Sequence, residues 1–217
     1  GDVKYQKLLT WIFANRFLNR FYARTTSKKF VYSWQQRASK EYYPYVMDEI
    51  RKLYVPNRKI VDEINSMIER YRREGYFIIG VHIRRGEYKT FEGGRYYFEL
   101  EEYKQHMQAL CEVYKDRKVC FAISTNEKID ATAFEGLEIC KTTNTTAVHD
   151  LYMLIQCDRI IGPLSTFSRW ASFYGGVPLC FISREDVIKS DKDFSVIKDF
   201  YHFANGTEII NLTDKQV

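Results

Sequence analysis

Long apolar runs, proline and metal-ligand spacing are what this chain of 217 residues has little of. No stretch approaches the roughly 20 apolar residues that a membrane-spanning helix needs, and no signal peptide opens the chain. The start at Gly1-Asp2, without methionine, is expected to be a trimmed tag or a boundary inside a longer protein, so a missing leader says little about the parent. Only 4 prolines and no low-complexity tract are present, which argues against a disordered or fibrous chain. The cysteines Cys111, Cys120, Cys140, Cys157 and Cys180 are odd in number and show no CxxC or Cys/His spacing. That pattern argues against zinc and against a disulfide framework. Four of the five lie inside apolar runs, where cysteine acts as a small core residue. The GxGxxG and GxxxxGK(S/T) phosphate loops are absent, as is the GxSxG nucleophile elbow.

What is present is an ordinary globular composition, 45% hydrophobic and 28% charged, with a high aromatic share of 16%. Charge is unevenly placed. Residues 1–75 hold 16 basic against 8 acidic side chains, while residues 76–217 hold 17 against 20. Leu8, Leu9, Ile12, Phe13, Phe17 and Phe21 recur at helical spacing among arginines and lysines. Such a basic amphipathic helix fits either packing on the protein or contact with an anionic surface, lipid or nucleic acid.

A short strand is expected at Phe30–Tyr32, then helices around Val46–Leu53 and Ile60–Tyr71, the latter stopped at Gly75 after three arginines. From Tyr76 the rhythm changes. Strands are expected at Tyr76–Ile83, Val119–Ser124, Leu137–Cys140, Arg159–Gly162 and Val177–Ile182. Helices are expected between them at Leu100–Tyr114, Thr146–Cys157 and Phe167–Tyr174, the last closed by Gly175. Alternating buried strands and helices imply a parallel sheet in an open α/β fold. The domain division expected is a helical, basic region at 1–75 and a Rossmann-like domain at 76–217.

Open parallel sheets bind ligands outside the carboxyl ends of their strands. Those ends carry Arg84-Arg85, Ser124-Thr125-Asn126 and Ser165-Thr166, a set of cations, hydroxyls and an amide suited to an anion. Strand alternation puts His82 and Arg84 on one face and Ile83 and Arg85 on the other. An arginine fork matches two phosphate oxygens, and Ser165-Thr166 can cap a helix whose N-terminus favours a second phosphate contact. Surface ion pairing at the arginines and simple capping at Ser165 is the plain structural alternative. Asp191-Lys192-Asp193 has the form of a metal-binding DxD motif but lies away from the strand ends, and is read as a solvated loop; no metal is expected.

The segment Val81-His82-Ile83-Arg84-Arg85-Gly86-Glu87-Tyr88 resembles the HxRRxD motif of GDP-fucose-dependent fucosyltransferases, especially the α-1,2-fucosyltransferase family, glycosyltransferase family 11. The stretch from Asn144 through Asp150-Leu151-Tyr152 to Ser165-Thr166-Phe167-Ser168-Arg169-Trp170 resembles that family's second signature. The resemblance covers most of residues 30–185. It implies a GT-B-like architecture with the donor held by a Rossmann-like C-terminal domain. It further implies that Arg84 binds the β-phosphate of GDP-fucose and stabilises the leaving GDP, with His82 beside the donor. Asp150 would read the guanine N1/N2 edge and Ser165-Thr166 would hold phosphate oxygens. Arg85, Ser124, Asn126, Phe167 and Ser168 complete the implied donor site. Glu87 stands where the motif has Asp, and the family's opening GGLGNQ segment has no counterpart, so the N-terminal domain is expected to be truncated.

The leading expectation is inverting transfer of fucose to a glycan hydroxyl, with a galactoside as acceptor, no metal or other cofactor, and a cytoplasmic, bacterial-type setting. Glu92, just beyond the arginine motif and before Gly93-Gly94, is the expected general base, and a helix dipole is the alternative catalyst. Glu87 is expected to orient the arginines. A GDP-sugar-binding protein without transferase activity is the rival, and a peripheral membrane or nucleic-acid module using residues 4–29 is a third reading.

Overall fold

A computed structural model describes residues 49–130, 132–140 and 146–197. The chain divides into two compact units, Gly1–Arg37 and Ala38–Val217, and all described residues lie in the second. The amphipathic helix with its membrane-contact segment 4–29, the strand expected at Phe30–Tyr32 and the first half of the Val46–Leu53 helix lie outside the described residues.

Helix α1 (Arg58–Arg73) begins at Asn57, whose side chain accepts from the Lys59 N–H at 2.9 Å. It stops before Gly75, where φ is +83°, with Arg70, Arg72 and Arg73 in the last turn where the helix dipole favours cations. Strand β1 (Tyr76–Ile83) follows. Then come helix α2 (Leu100–Val113), strand β2 (Lys118–Thr125), helix α3 (Ala147–Gln156), strand β3 (Arg159–Gly162), helix α4 (Thr166–Gly175) and strand β4 (Leu179–Phe181). Elements match the expected ranges within two residues. The left-handed residue closing α4 is Gly176, at φ +67°, rather than Gly175.

The four strands form one parallel sheet in the order β2-β1-β3-β4. The fifth expected strand, Leu137–Cys140, is a correction. It makes a single parallel bridge, Ile139 to Phe121, through the Phe121 N–H to Glu138 carbonyl and Cys140 N–H to Phe121 carbonyl bonds, each 2.8 Å.

Side-chain alternation sorts the core into two layers. Phe77, Ile79, Val81 and Ile83 of β1 face Tyr103, Met107 and Leu110 of α2. On the other face Ile78, Cys120 and Ala122 meet Ile64 and Ile68 of α1 and Met153 of α3, and Ile160 and Leu179 meet Ala171 and Phe173 of α4. Gly80 is required where α3 crosses β1: a Cβ there would lie 2.6 Å from Leu154 Cδ2 and 3.1 Å from Cys157 Sγ. The boundary expected at residue 75 therefore falls inside this unit, since α1 buries its apolar stripe against the sheet. Cys120, Cys140, Cys157 and Cys180 are buried, with the Cys120 and Cys140 sulfurs 2.9 Å apart, and Cys111 is half-buried.

Candidate functional site

The order of the sheet decides where a ligand fits. From β1 the chain crosses through α2 to β2 on one side, while β3 continues through α4 to β4 on the other. The crevice between the carboxyl ends of β1 and β3 is therefore a topological switch point, the place where open α/β sheets bind ligands. The end of β1 carries His82, Arg84 and Arg85; the end of β3 leads into Ser165.

The two arginines part, as alternation requires. Arg85 turns toward the α2 face, where its guanidinium donates to the Tyr97 hydroxyl at 2.8 Å, Glu99 at 2.9 Å and Glu127 at 3.0 Å. Three oxygen partners make it a brace between the motif, the start of α2 and the loop after β2. Arg84 is more open, pairs with Glu87 and lies 5.9 Å over the Tyr88 ring. Its backbone N–H donates to the buried Tyr103 hydroxyl at 3.3 Å, which pins the motif to α2. Glu87 thus orients one arginine, Arg84, and Asn126, exposed, donates weakly to the same carboxylate at 3.5 Å.

His82 is buried against Phe167, with ring centroids 5.0 Å apart. Burial, and then the neighbouring Arg84 charge, push its pKa down to about 3, so the imidazole is neutral. Its Nδ1 is buried with no hydrogen-bond partner. Ser124 pairs with His82 in the β1–β2 register, and its hydroxyl donates to Asp150 Oδ2 at 3.3 Å. Asp150 sits in the first turn of α3, which Thr146 caps. Burial raises its pKa to about 6, partly offset by Ser124, the Thr125 backbone and His149. The second oxygen, Oδ1, is buried without a partner. A buried carboxylate oxygen left unbonded is unfavourable, and it marks a place where a donor from outside the chain is suited.

Ser165 is the N-cap of α4, accepting from the Phe167 N–H at 3.2 Å. Ser168 is buried and its hydroxyl returns to the Ser165 carbonyl at 3.3 Å, while Thr166 is exposed. Ser168 therefore secures the cap from within. Glu92 is exposed on the turn Phe91–Gly94, at φ +47° and ψ +41°. Among the described residues it alone, glycine aside, has positive φ.

Tyr88, Tyr97, Glu99, Tyr103 and Glu127 were not singled out from the sequence. Alternation put Arg85 on the face opposite Arg84, but no local signal says which carboxylates wait there. The Asp191–Asp193 turn also differs from a solvated loop: Asp191 accepts from Arg159 at 2.8 Å and from the Tyr114 hydroxyl, and Asp193 accepts from the Ser190 N–H at 3.0 Å. These bonds lie by Arg159, the first residue of β3, at the opposite edge of the sheet. A shallow depression at that edge has two of its cations already engaged, Arg72 on the Gln156 carbonyl at 2.7 Å and Lys118 over the Tyr76 ring at 3.9 Å.

Several solved structures are similar to this chain. A crystal structure of fucosyltransferase NodZ from Bradyrhizobium matches at 20% identity and TM-score 0.36, over 56% of this chain and 44% of that one. A selenomethionine form matches at 16% identity and TM-score 0.39, over 78% and 73%. NodZ α-1,6-fucosyltransferase soaked with GDP-fucose matches at 18% identity and TM-score 0.40, over 77% and 72%. The chain thus spans less than half of the first of these. No curated protein matches it. The model of glycosyl transferase family 11 matches residues 2–194, a range that holds all four strands, both arginines, Asp150 and the Ser165 cap, and the chain belongs to that family.

Proposed function

We propose that this chain binds GDP-fucose at the switch point and transfers fucose to a glycan hydroxyl with inversion, in the manner of an α-1,2-fucosyltransferase. The observation that carries the reading is a pair of buried groups without partners, Asp150 Oδ1 and His82 Nδ1, set along the same edge as Arg84 and a capped helix N-terminus. A carboxylate can accept from both the ring N1–H and the exocyclic N2 amino group of guanine, and so is complementary to that edge. Arg84 and the α4 N-terminus then face the pyrophosphate, and their fixed positive charge stabilises GDP as it leaves. No metal is assigned to this step. Attack by an acceptor oxygen on the anomeric carbon breaks the bond to the β-phosphate oxygen, and the acceptor proton passes to Glu92. Thr166 supplies a further hydroxyl to the phosphates, and a galactoside is the proposed acceptor.

The test is calorimetric titration with GDP. Losing a charged hydrogen-bond partner costs about 1.5–3 kcal/mol, so Arg84→Ala should bind GDP roughly 10- to 150-fold more weakly. Equal affinity in the two proteins would overturn the phosphate assignment. Donor binding without turnover would favour the rival reading, a GDP-sugar-binding protein.

A further inference from the structure

The turn segment between β1 and α2 holds a cluster of rings that none of the roles above uses. Tyr88 and Phe91 are nearly parallel, 5.5 Å apart and inclined by 21°. Tyr96 lies 6.4 Å from one and 6.3 Å from the other. Among the described residues Phe91 is the only exposed phenylalanine, at 48%. Burying such a ring would be favourable, so a ring held in water is a feature to explain.

The turn that holds it is built rather than slack. The Tyr88 hydroxyl donates to the Leu164 carbonyl at 3.2 Å, tying the segment to the residue before the Ser165 cap. Gly93 and Gly94 take φ of +67° and +79°, and a Cβ on Gly94 would lie 3.0 Å from the Lys89 carbonyl oxygen. Glu92, just before them, accepts the left-handed conformation at the energetic cost usual for a side chain there. The rings are therefore presented in place before any ligand arrives.

Their position along the edge identifies the occupant. Reading across the sheet, β2 carries Ser124 and its bond to Asp150, β1 carries Arg84, and β3 leads to Leu164, where Tyr88 is anchored. A nucleotide sugar laid along that edge has its base at β2 and its phosphates between Arg84 after β1 and the α4 N-terminus after β3. The rings, with Tyr88 under Arg84 and tied to the residue before the Ser165 cap, then flank the phosphate site where transfer takes place, and Phe91 adjoins Glu92, the proposed base for the acceptor hydroxyl. A pyranose has one face of C–H groups that packs on an aromatic ring, while its hydroxyls remain at the rim for polar partners such as Glu92.

We propose that Phe91, backed by Tyr88 and Tyr96, is a stacking platform for a pyranose ring of the glycan acceptor. This rests on the donor-site reading above. The experiment is saturation-transfer NMR of the full chain with lactose, N-acetyllactosamine and chitobiose, with and without GDP, beside calorimetric GDP titration of each protein. The wild type should transfer saturation to ring C–H protons of at least one sugar. Phe91→Ala should lose that signal at least about fivefold, the size of an aromatic contact, and Phe91→Trp should retain it. GDP affinity should be the same in all three. No transfer to any of the sugars, or an unchanged signal in Phe91→Ala, overturns the platform. So does a parallel fall in GDP affinity, because the ring would then stack the nucleobase. If the wild type binds no GDP while the sugar signal still depends on Phe91, the platform stands and the donor reading alone falls.

Discussion

At the scale of single residues, burial sets Asp150 apart from the other carboxylates of the edge. Its pKa stands at about 6 against an ordinary 3.8, so the folded protein holds this proton more tightly than the unfolded chain. Stability from this group is therefore greatest below pH 4 and is lost as pH rises from 4 to 6. Thermal unfolding of wild type and Asp150→Asn should show it: the variant's advantage grows across that window and levels off above pH 6. A difference that stays constant from pH 4 to 7 would contradict the buried, raised carboxyl. His82, with its pKa lowered by burial, acts in the opposite sense and is common to both proteins. Glu92 offers a second test. Glu92→Gln should lower turnover of GDP-fucose with a galactoside by about 10²–10⁴-fold while GDP affinity is unchanged. Glu92→Gly should lose the same activity without losing melting temperature, because glycine occupies positive φ without steric penalty.

At the scale of elements, one feature of β1 governs how the helices sit. Strand alternation sends His82 toward α4 and Arg85 toward α2, so residues of one motif have different work. Alternation was legible in the sequence because it depends only on the two-residue period of a strand. The approach of α3 was not, since Gly80 looks like any glycine until Leu154 and Cys157 are seen above it. Gly80→Ala should destabilise the fold by about 1–3 kcal/mol in denaturant melts through overpacking. An unchanged midpoint would mean that α3 moves away freely. The expected strand at Leu137–Cys140 reaches the open outer edge of β2 but makes a single bridge there, at Phe121, too little to form a ladder.

At the scale of the whole molecule, the order β2-β1-β3-β4 brings Asp150, Arg84 and Ser165 to one edge from positions far apart in the chain. A ligand that binds only this assembled edge must stabilise the fold. At about 100 times its Kd, GDP should add about 2.7 kcal/mol, a rise on the order of 5–10 °C in melting temperature. ADP and UDP should give much smaller shifts, and in Asp150→Ala the preference for GDP over ADP should disappear. A variant that keeps the preference would show that another group reads the base.

The sequence by itself determined the parallel α/β class, the ranges of β1–β4 and α1–α4 within two residues, and the edge on which the arginine motif falls. Those follow from hydrophobic period, capping residues and a topological rule, all of which act over a few neighbours in the chain. Only the tertiary structure decided which arginine is open. Arg85 meets Glu127, 42 residues on, and so becomes a brace, while Arg84 keeps its face to the crevice. Tyr88 likewise gains its place from Leu164, 76 residues away, and Asp150 its raised pKa from the layers that cover it. Each of these depends on groups brought together by packing, for which no local pattern exists to be read.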